Sequence, residues 1–125
     1  MRDLAIHVTH RPGEIARVAS ALGRKDVNIK SIAGMGMNTQ GIIRIIPDDI
    51  EAARTALQDA NIRFEECELV SSLVENKAGE LAEIASKLAN ANVNIQAIYV
   101  IGLEGELVEV AMAVDDIKKA KRVLE

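Results

Sequence analysis

Residues 4–8 alternate, with Leu4, Ile6 and Val8 on one side and Ala5 and His7 on the other. A period of two predicts a half-buried strand. Arg11-Pro12-Gly13 interrupts it. Ile15, Val18, Ala19 and Leu22 then recur at the spacing of one helix stripe, and Gly23 stands where that helix should stop. A second strand is expected from about Val27 to Met35. The turn Gly36-Met37-Asn38-Thr39-Gln40-Gly41 and a return strand over Ile42–Ile46 follow. Pro47-Asp48-Asp49 suits the first turn of a second helix, where free N–H groups and the positive dipole end lie. Ile50, Ala53, Leu57 and Ala60 form the apolar side of that helix, and a fourth strand is expected over Arg63–Val70. The order β-α-β-β-α-β is the split βαβ, or ferredoxin-like, plan, an α+β fold whose antiparallel sheet carries both helices on one face.

The pattern occurs twice. Residues 13–36 align with 79–102 without a gap, and 11 of these 24 positions are identical, against roughly two expected from average residue frequencies. The match resumes with Asp48-Asp49-Ile50 on Asp115-Asp116-Ile117, shifted by one further residue. That slip falls between Gly36 and Asp48, in the expected hairpin. The unit is therefore a small domain rather than a solenoid repeat of about 20–50 residues. The predicted boundaries are 1–66 and 67–125, joined through a strand-like segment without a Gly/Ser-rich linker. The second copy ends at Glu125, just past the equivalent of Leu57, so it is expected to lack its last strand. An open sheet edge invites strand addition, which predicts a homodimer or higher oligomer. Two helices cover only one face of such a sheet, while Ile42, Ile43, Ile45 and Ile46 are apolar toward both, which points the same way.

Composition narrows the function. Aromatic residues are 2% of the chain, only Phe64 and Tyr99, so base-stacking surfaces are disfavoured. A net charge of −4 argues against a general phosphate-backbone binder, so no nucleic-acid partner is expected. Cys67 is the only cysteine and cannot form an internal disulfide. His7 and His10 point to opposite faces of a strand, and no metal site or cofactor is expected. No apolar run approaches the ~20 residues of a membrane span. The expected setting is cytoplasmic, with no membrane partner. The paired aspartates are helix-start residues rather than a catalytic dyad, and no nucleophile–base constellation is visible, so no enzyme activity is expected.

His10-Arg11-Pro12-Gly13-Glu14-Ile15 followed by Val27-Asn28-Ile29 resembles the signature of the ACT family, as does Asn76-Lys77-Ala78-Gly79-Glu80-Leu81 followed by Val93-Asn94-Ile95. The resemblance covers nearly the whole chain, in both copies. It implies a regulatory module that binds small molecules, commonly amino acids, at interfaces near the first turn and the start of the second strand. It also implies control of a metabolic enzyme or regulator in trans, because no catalytic domain is attached. The implied ligand-binding positions are His10, Arg11, Gly13, Glu14 and Ile15 with Asn28 and Ile29. In the second copy they are Asn76, Gly79, Glu80 and Leu81 with Asn94 and Ile95. Two departures stand out: Ala78 replaces the proline, and His10 stands where some serine-binding members carry asparagine.

Physical chemistry leaves two readings open at these positions. Asn28 and Asn94 either bond nearby backbone or offer an amide to the carboxylate and ammonium of an amino acid. Gly13 and Gly79 serve the turn or allow close ligand approach. A helix N-terminus can hold a carboxylate, though Glu80 competes for its donors. The alternative function is an assembly module whose ligand site no longer works.

Overall fold

The computed structural model describes residues 1–125, which divide into two compact units, Arg2–Cys67 and Met1 with Glu68–Glu125. The first unit contains β1 (Arg2–Thr9), α1 (Glu14–Gly23), β2 (Ile29–Met37), β3 (Gln40–Pro47), α2 (Ile50–Asp59) and, at its end, β4 (Glu65–Glu68). Its sheet has the order β2-β3-β1-β4, the ferredoxin-like arrangement. The second unit contains β5 (Val70–Glu75), α3 (Glu80–Asn90), β6 (Ile95–Glu104), β7 (Leu107–Val114) and α4 (Ile117–Leu124). Its sheet is three-stranded, β5-β7-β6. The position that β4 fills beside β1 has no counterpart beside β5. No helix is long and apolar enough to cross a membrane.

The expected fourth strand is shorter than its sequence suggests. Instead of Arg63–Val70, the strand covers Glu65–Glu68, and Val70 already opens β5 in the other sheet. Nothing in the run Glu65 to Glu75 is a glycine or proline, so no local signal marks the change of sheet at Leu69. The acidic run is also less solvated than its charge implies. Glu66 has a side chain 17% exposed and accepts from Arg2 and from Nε and Nη2 of Arg54, the latter at 2.8 Å. These hydrogen bonds, Arg54 foremost, pull its carboxyl down to about 2.

Of the stripe read from the sequence, Val18 and Leu22 enter the first core, whereas Ile15 is 55% exposed and Ala19 only half-buried. Val18 and Leu22 of α1 and Leu57 of α2 pack with Leu4, Ile6, Ile43 and Ile45 of the sheet, all almost fully buried. Each such side chain contributes about 1.5–3 kcal/mol by leaving water, and Leu22→Ala would cost about 2–5 kcal/mol. The second core repeats the scheme with Ile84 and Leu88 against Val110 and Met112. Helices α1 and α3 end alike. Val27 and Val93 donate to the carbonyls of Leu22 and Leu88 at 3.0 and 2.9 Å, after the left-handed residues Asp26 and Asn92, types that tolerate that conformation. The other helices start on Asp49 and Asp116, whose carboxylates accept from the N–H groups of Ala52 and Lys119 at 3.1 and 3.0 Å.

The face of the first sheet opposite the helices carries an ion pair. Arg44 of β3 donates through Nε and Nη2 to both oxygens of Asp3 at 2.7 and 3.1 Å, and Asp3 is 0% exposed. Burial, the largest single influence, works to lower the Arg44 pKa, but the hydrogen bond and charge of Asp3, with smaller contributions from Cys67, together outweigh it and the net shift is upward. Met35 and Met37 are about two-thirds exposed near the hairpin.

The one-residue slip between the copies does not lie in the hairpin. Both hairpins close over two residues, Met37 pairing with Gln40 and Glu104 with Leu107. In β6 the register shifts between Val100 and Gly102, a break that β2 lacks at the matching place. The extra residue is Ile101, taken up as a bulge within the strand. Gly34 therefore corresponds to Val100, but Gly36 corresponds to Leu103 rather than to Gly102.

Candidate functional site

Each unit has a cleft where its first strand turns into its first helix. In the first unit, Gly13 takes a left-handed φ of +95° at the N-cap of α1 and its carbonyl accepts from Arg17 N–H at 2.9 Å. In the second, Gly79 does the same at φ +92°, accepting from Glu83 at 3.0 Å. Non-glycine residues are strained there, so the turn accounts for both glycines. The strand ends are pinned to the hairpin tips: His10 N–H donates to Thr39 at 2.8 Å and Asn76 N–H to Glu106 at 3.1 Å.

The first cleft, ≈ 400 Å³, is lined by His10, Arg11, Gly13, Glu14 and Ile15 from the turn and helix start, and by Gly34, Met35, Gly36 and Gly41 from β2 and β3. The second, ≈ 280 Å³, is lined by Asn76, Lys77, Glu80 and Leu81, and by Ile98, Tyr99, Val100, Val108 and Val110. The turn positions His10, Arg11, Gly13, Glu14 and Ile15 thus all line the first cleft, and Asn76, Glu80 and Leu81 line the second, whereas Gly79 is not part of its lining. The facing walls on β2 and β6, and Lys77, were not anticipated. Gly34 and Gly36 were the available signal, because glycine weakens a strand interior and marks a close approach.

Charges in the first cleft are mutually engaged. Glu14, 7% exposed, accepts from Arg17 at 2.9 Å and from Arg11 at 3.1 Å. The Arg17 hydrogen bond and the two guanidinium charges hold its carboxyl below the usual range against the opposing effect of burial. Lys77 plays the cationic part in the second cleft, 2.8 Å from Glu75 and 3.5 Å from Glu80. The Glu75 hydrogen bond, with the Glu80 charge, raises its pKa. Both clefts therefore place a mostly exposed cation beside a helix N-terminus, an arrangement able to hold an anionic headgroup.

Asn28 and Asn94, with Ile29 and Ile95 after them, stand elsewhere. They enter β2 and β6 at the ends remote from the clefts. Asn28 exchanges backbone bonds with Asp48, donating to Oδ1 at 3.1 Å and accepting from its N–H at 3.0 Å. Asn94 does likewise with Asp115, at 2.9 and 3.1 Å. At ~3.3 Å per strand residue, Asn28 lies roughly 20 Å from Gly34 and Asn94 roughly 13 Å from Ile98, the nearest wall residues of their own units. No single unit brings the two halves of the motif together. Both asparagine residues are exposed.

A family model described as an ACT domain pair matches residues 1–125. No curated protein matches the chain. Among solved structures, protein BT0572 from Bacteroides thetaiotaomicron is similar with a TM-score of 0.88 and 23% identity, over 98% of this chain and 85% of that one. The ligand-free regulatory subunit of aspartate kinase from Thermus thermophilus is similar at a TM-score of 0.70 and 17% identity, over 98% and 87% of the two chains. The aspartokinase alpha and beta subunits match at 0.67 and 20%, over 98% and 88%. These structural likenesses share the fold.

Proposed function

Because this chain belongs to the ACT domain pair family, whose members are regulatory ligand-binding modules, we propose that it is a non-catalytic cytoplasmic sensor of a free amino acid. In this reading it modulates a metabolic enzyme or regulator in trans. The observation that carries the reading is the repetition, in both units, of one cleft built from a left-handed glycine turn, an exposed cation and an apolar wall. The ligand carboxylate approaches Arg11 or Lys77 and the helix N-terminus. Its side chain lies toward β2 or β6. Asn28 and Asn94 stand too far off to serve the cleft of their own unit, so a second copy of the chain is proposed to bring a strand entrance to the turn. The open side of β5 offers a separate pairing edge, since β6, whose entrance carries Asn94, stands at the opposite edge of its sheet.

One observation favours the competing reading of an assembly module with a non-functional site. Glu14 already occupies Arg11, so a ligand must win that guanidinium from an internal carboxylate. A thermal-shift screen against the free amino acids separates the two. A ligand at ~100 times its dissociation constant adds roughly 2.7 kcal/mol of stability. No shift with any amino acid at millimolar concentration would transfer the weight to assembly.

A further inference from the structure

The two clefts share a plan but differ in their walls, and the difference centres on one sheet position. Gly34 of β2 pairs with Ile43, and Val100 of β6 pairs with Val110, the matching place in the second unit. Ile43 and Val110 both belong to the helix-side cores, so Gly34 and Val100 face the helix side, toward the clefts.

Three glycines line the first cleft from the sheet, and the chain itself explains two. A Cβ on Gly36 would lie 2.3 Å from Cε1 of His10, so the imidazole occupies that space. A Cβ on Gly41 would meet Val8 Cγ2 at 3.2 Å and the Met35 carbonyl at 3.3 Å. Gly34 has no such reason. Its φ is not left-handed, and a Cβ there would meet only Ile15 Cδ1 at 3.8 Å, an ordinary contact. Glycine inside a strand weakens it, so a glycine that neither backbone nor neighbours require leaves space for something else. Around that space stand the apolar side chains of Val8, Ile15 and Ile43. In the second unit Val100 fills the position and Val108 replaces Gly41, and the cleft shrinks from ≈ 400 to ≈ 280 Å³.

We infer that the two sites are graded by size, the first taking an amino acid with an apolar side chain of leucine or methionine size, the second only a small one. The grading rests on the amino-acid reading above. Gly34 and Val100 act as the specificity-determining pair.

Isothermal titration of the full chain tests this with L-leucine and L-methionine as large probes and glycine and L-alanine as small ones. The wild-type chain should bind a large probe at one site per chain. Gly34→Val should weaken that binding roughly tenfold or more, the scale of a misplaced methylene or two in an apolar pocket, and Gly34→Ala should give an intermediate loss. Both substitutions build into open space, and a thermal melt checks that the variants stay folded. Val100→Gly should raise the number of large-probe sites from one to two. Unchanged leucine and methionine affinity in Gly34→Val, or a single large-probe site in Val100→Gly, overturns the grading and leaves amino-acid sensing intact. Wild-type binding of small probes alone does the same. A wild-type chain that binds none of the amino acids overturns both readings together.

Discussion

Asp3 and Arg44 offer the sharpest test of the energetics. Asp3 is fully buried and receives two charge-assisted hydrogen bonds from Arg44, whose own side chain is 14% exposed. Arg44→Met keeps much of the side-chain volume and removes the cation. It leaves a carboxylate in a site that water does not reach, and breaking a buried pair from one side costs about 3–5 kcal/mol. Small domains have about 5–15 kcal/mol in total, so the variant should sit near the edge of folding. With an m-value near 2 kcal/mol per molar urea, the midpoint should fall by about 2 M. Replacing both, Asp3→Leu with Arg44→Met, removes the buried carboxylate along with its cation, and that double variant should be more stable than Arg44→Met alone. Urea unfolding followed by circular dichroism measures all three. If Arg44→Met loses less than about 1 kcal/mol, or if the double variant is less stable than Arg44→Met alone, the pair does not carry the cost assigned to it.

Glu66 carries a pH signature. Its folded pKa of about 2 lies below the ordinary 4.5, so its stabilisation is complete above pH 4.5 and drains away as pH falls from there toward 2. Melting temperatures across pH 2–6 should show a shallower acid decline in Glu66→Gln than in the wild type, and identical slopes would contradict the assignment. Asn94→Ala should weaken amino-acid binding by ~1 kcal/mol or more. The fold should survive, because Asp115 is bound to Asn94 through the backbone. Unfolding of that variant, or complete loss of binding from Asn28→Ala alone, would count against the part given to Asn94. Sedimentation at micromolar concentration should show a dimer or larger. A 13.5 kDa species, with or without ligand, would sink the strand-pairing scheme.

Most of the fold is legible in the sequence because its determinants are local. The stripe Ile15, Val18, Ala19, Leu22 needs only helical periodicity, and Asp49 and Asp116 need only the unsatisfied N–H groups of a helix start. Long-range facts are harder to read. The change of sheet at Leu69 falls inside an unbroken strand-like run, so no residue announces it. The cleft wall escapes because Gly36 is fixed by an imidazole 26 positions earlier in the chain. Asn28 and Asn94 show the opposite limit. Their spacing relative to the turn repeats faithfully, yet sequence proximity places them at the far end of the strand from it, where Asp48 and Asp115 take up their backbone groups.

The bulge at Ile101 bears on how a duplicated domain can drift. An insertion in a central strand would throw every later side chain onto the wrong face and empty the core. β6 is an edge strand with one partner, so one added residue is absorbed where it occurs. Beyond it the hairpin-end pairs re-form, Leu103 with Val108 and Glu104 with Leu107. Before it, Ile98 still pairs with Met112 of the buried core. Heredity could therefore alter the mouth of one copy while leaving its hydrophobic interior, and its twin, untouched. The edge strand is the part of this architecture on which mutation acts most cheaply, and two descendants of one ancestral module can part ways there without either losing its fold.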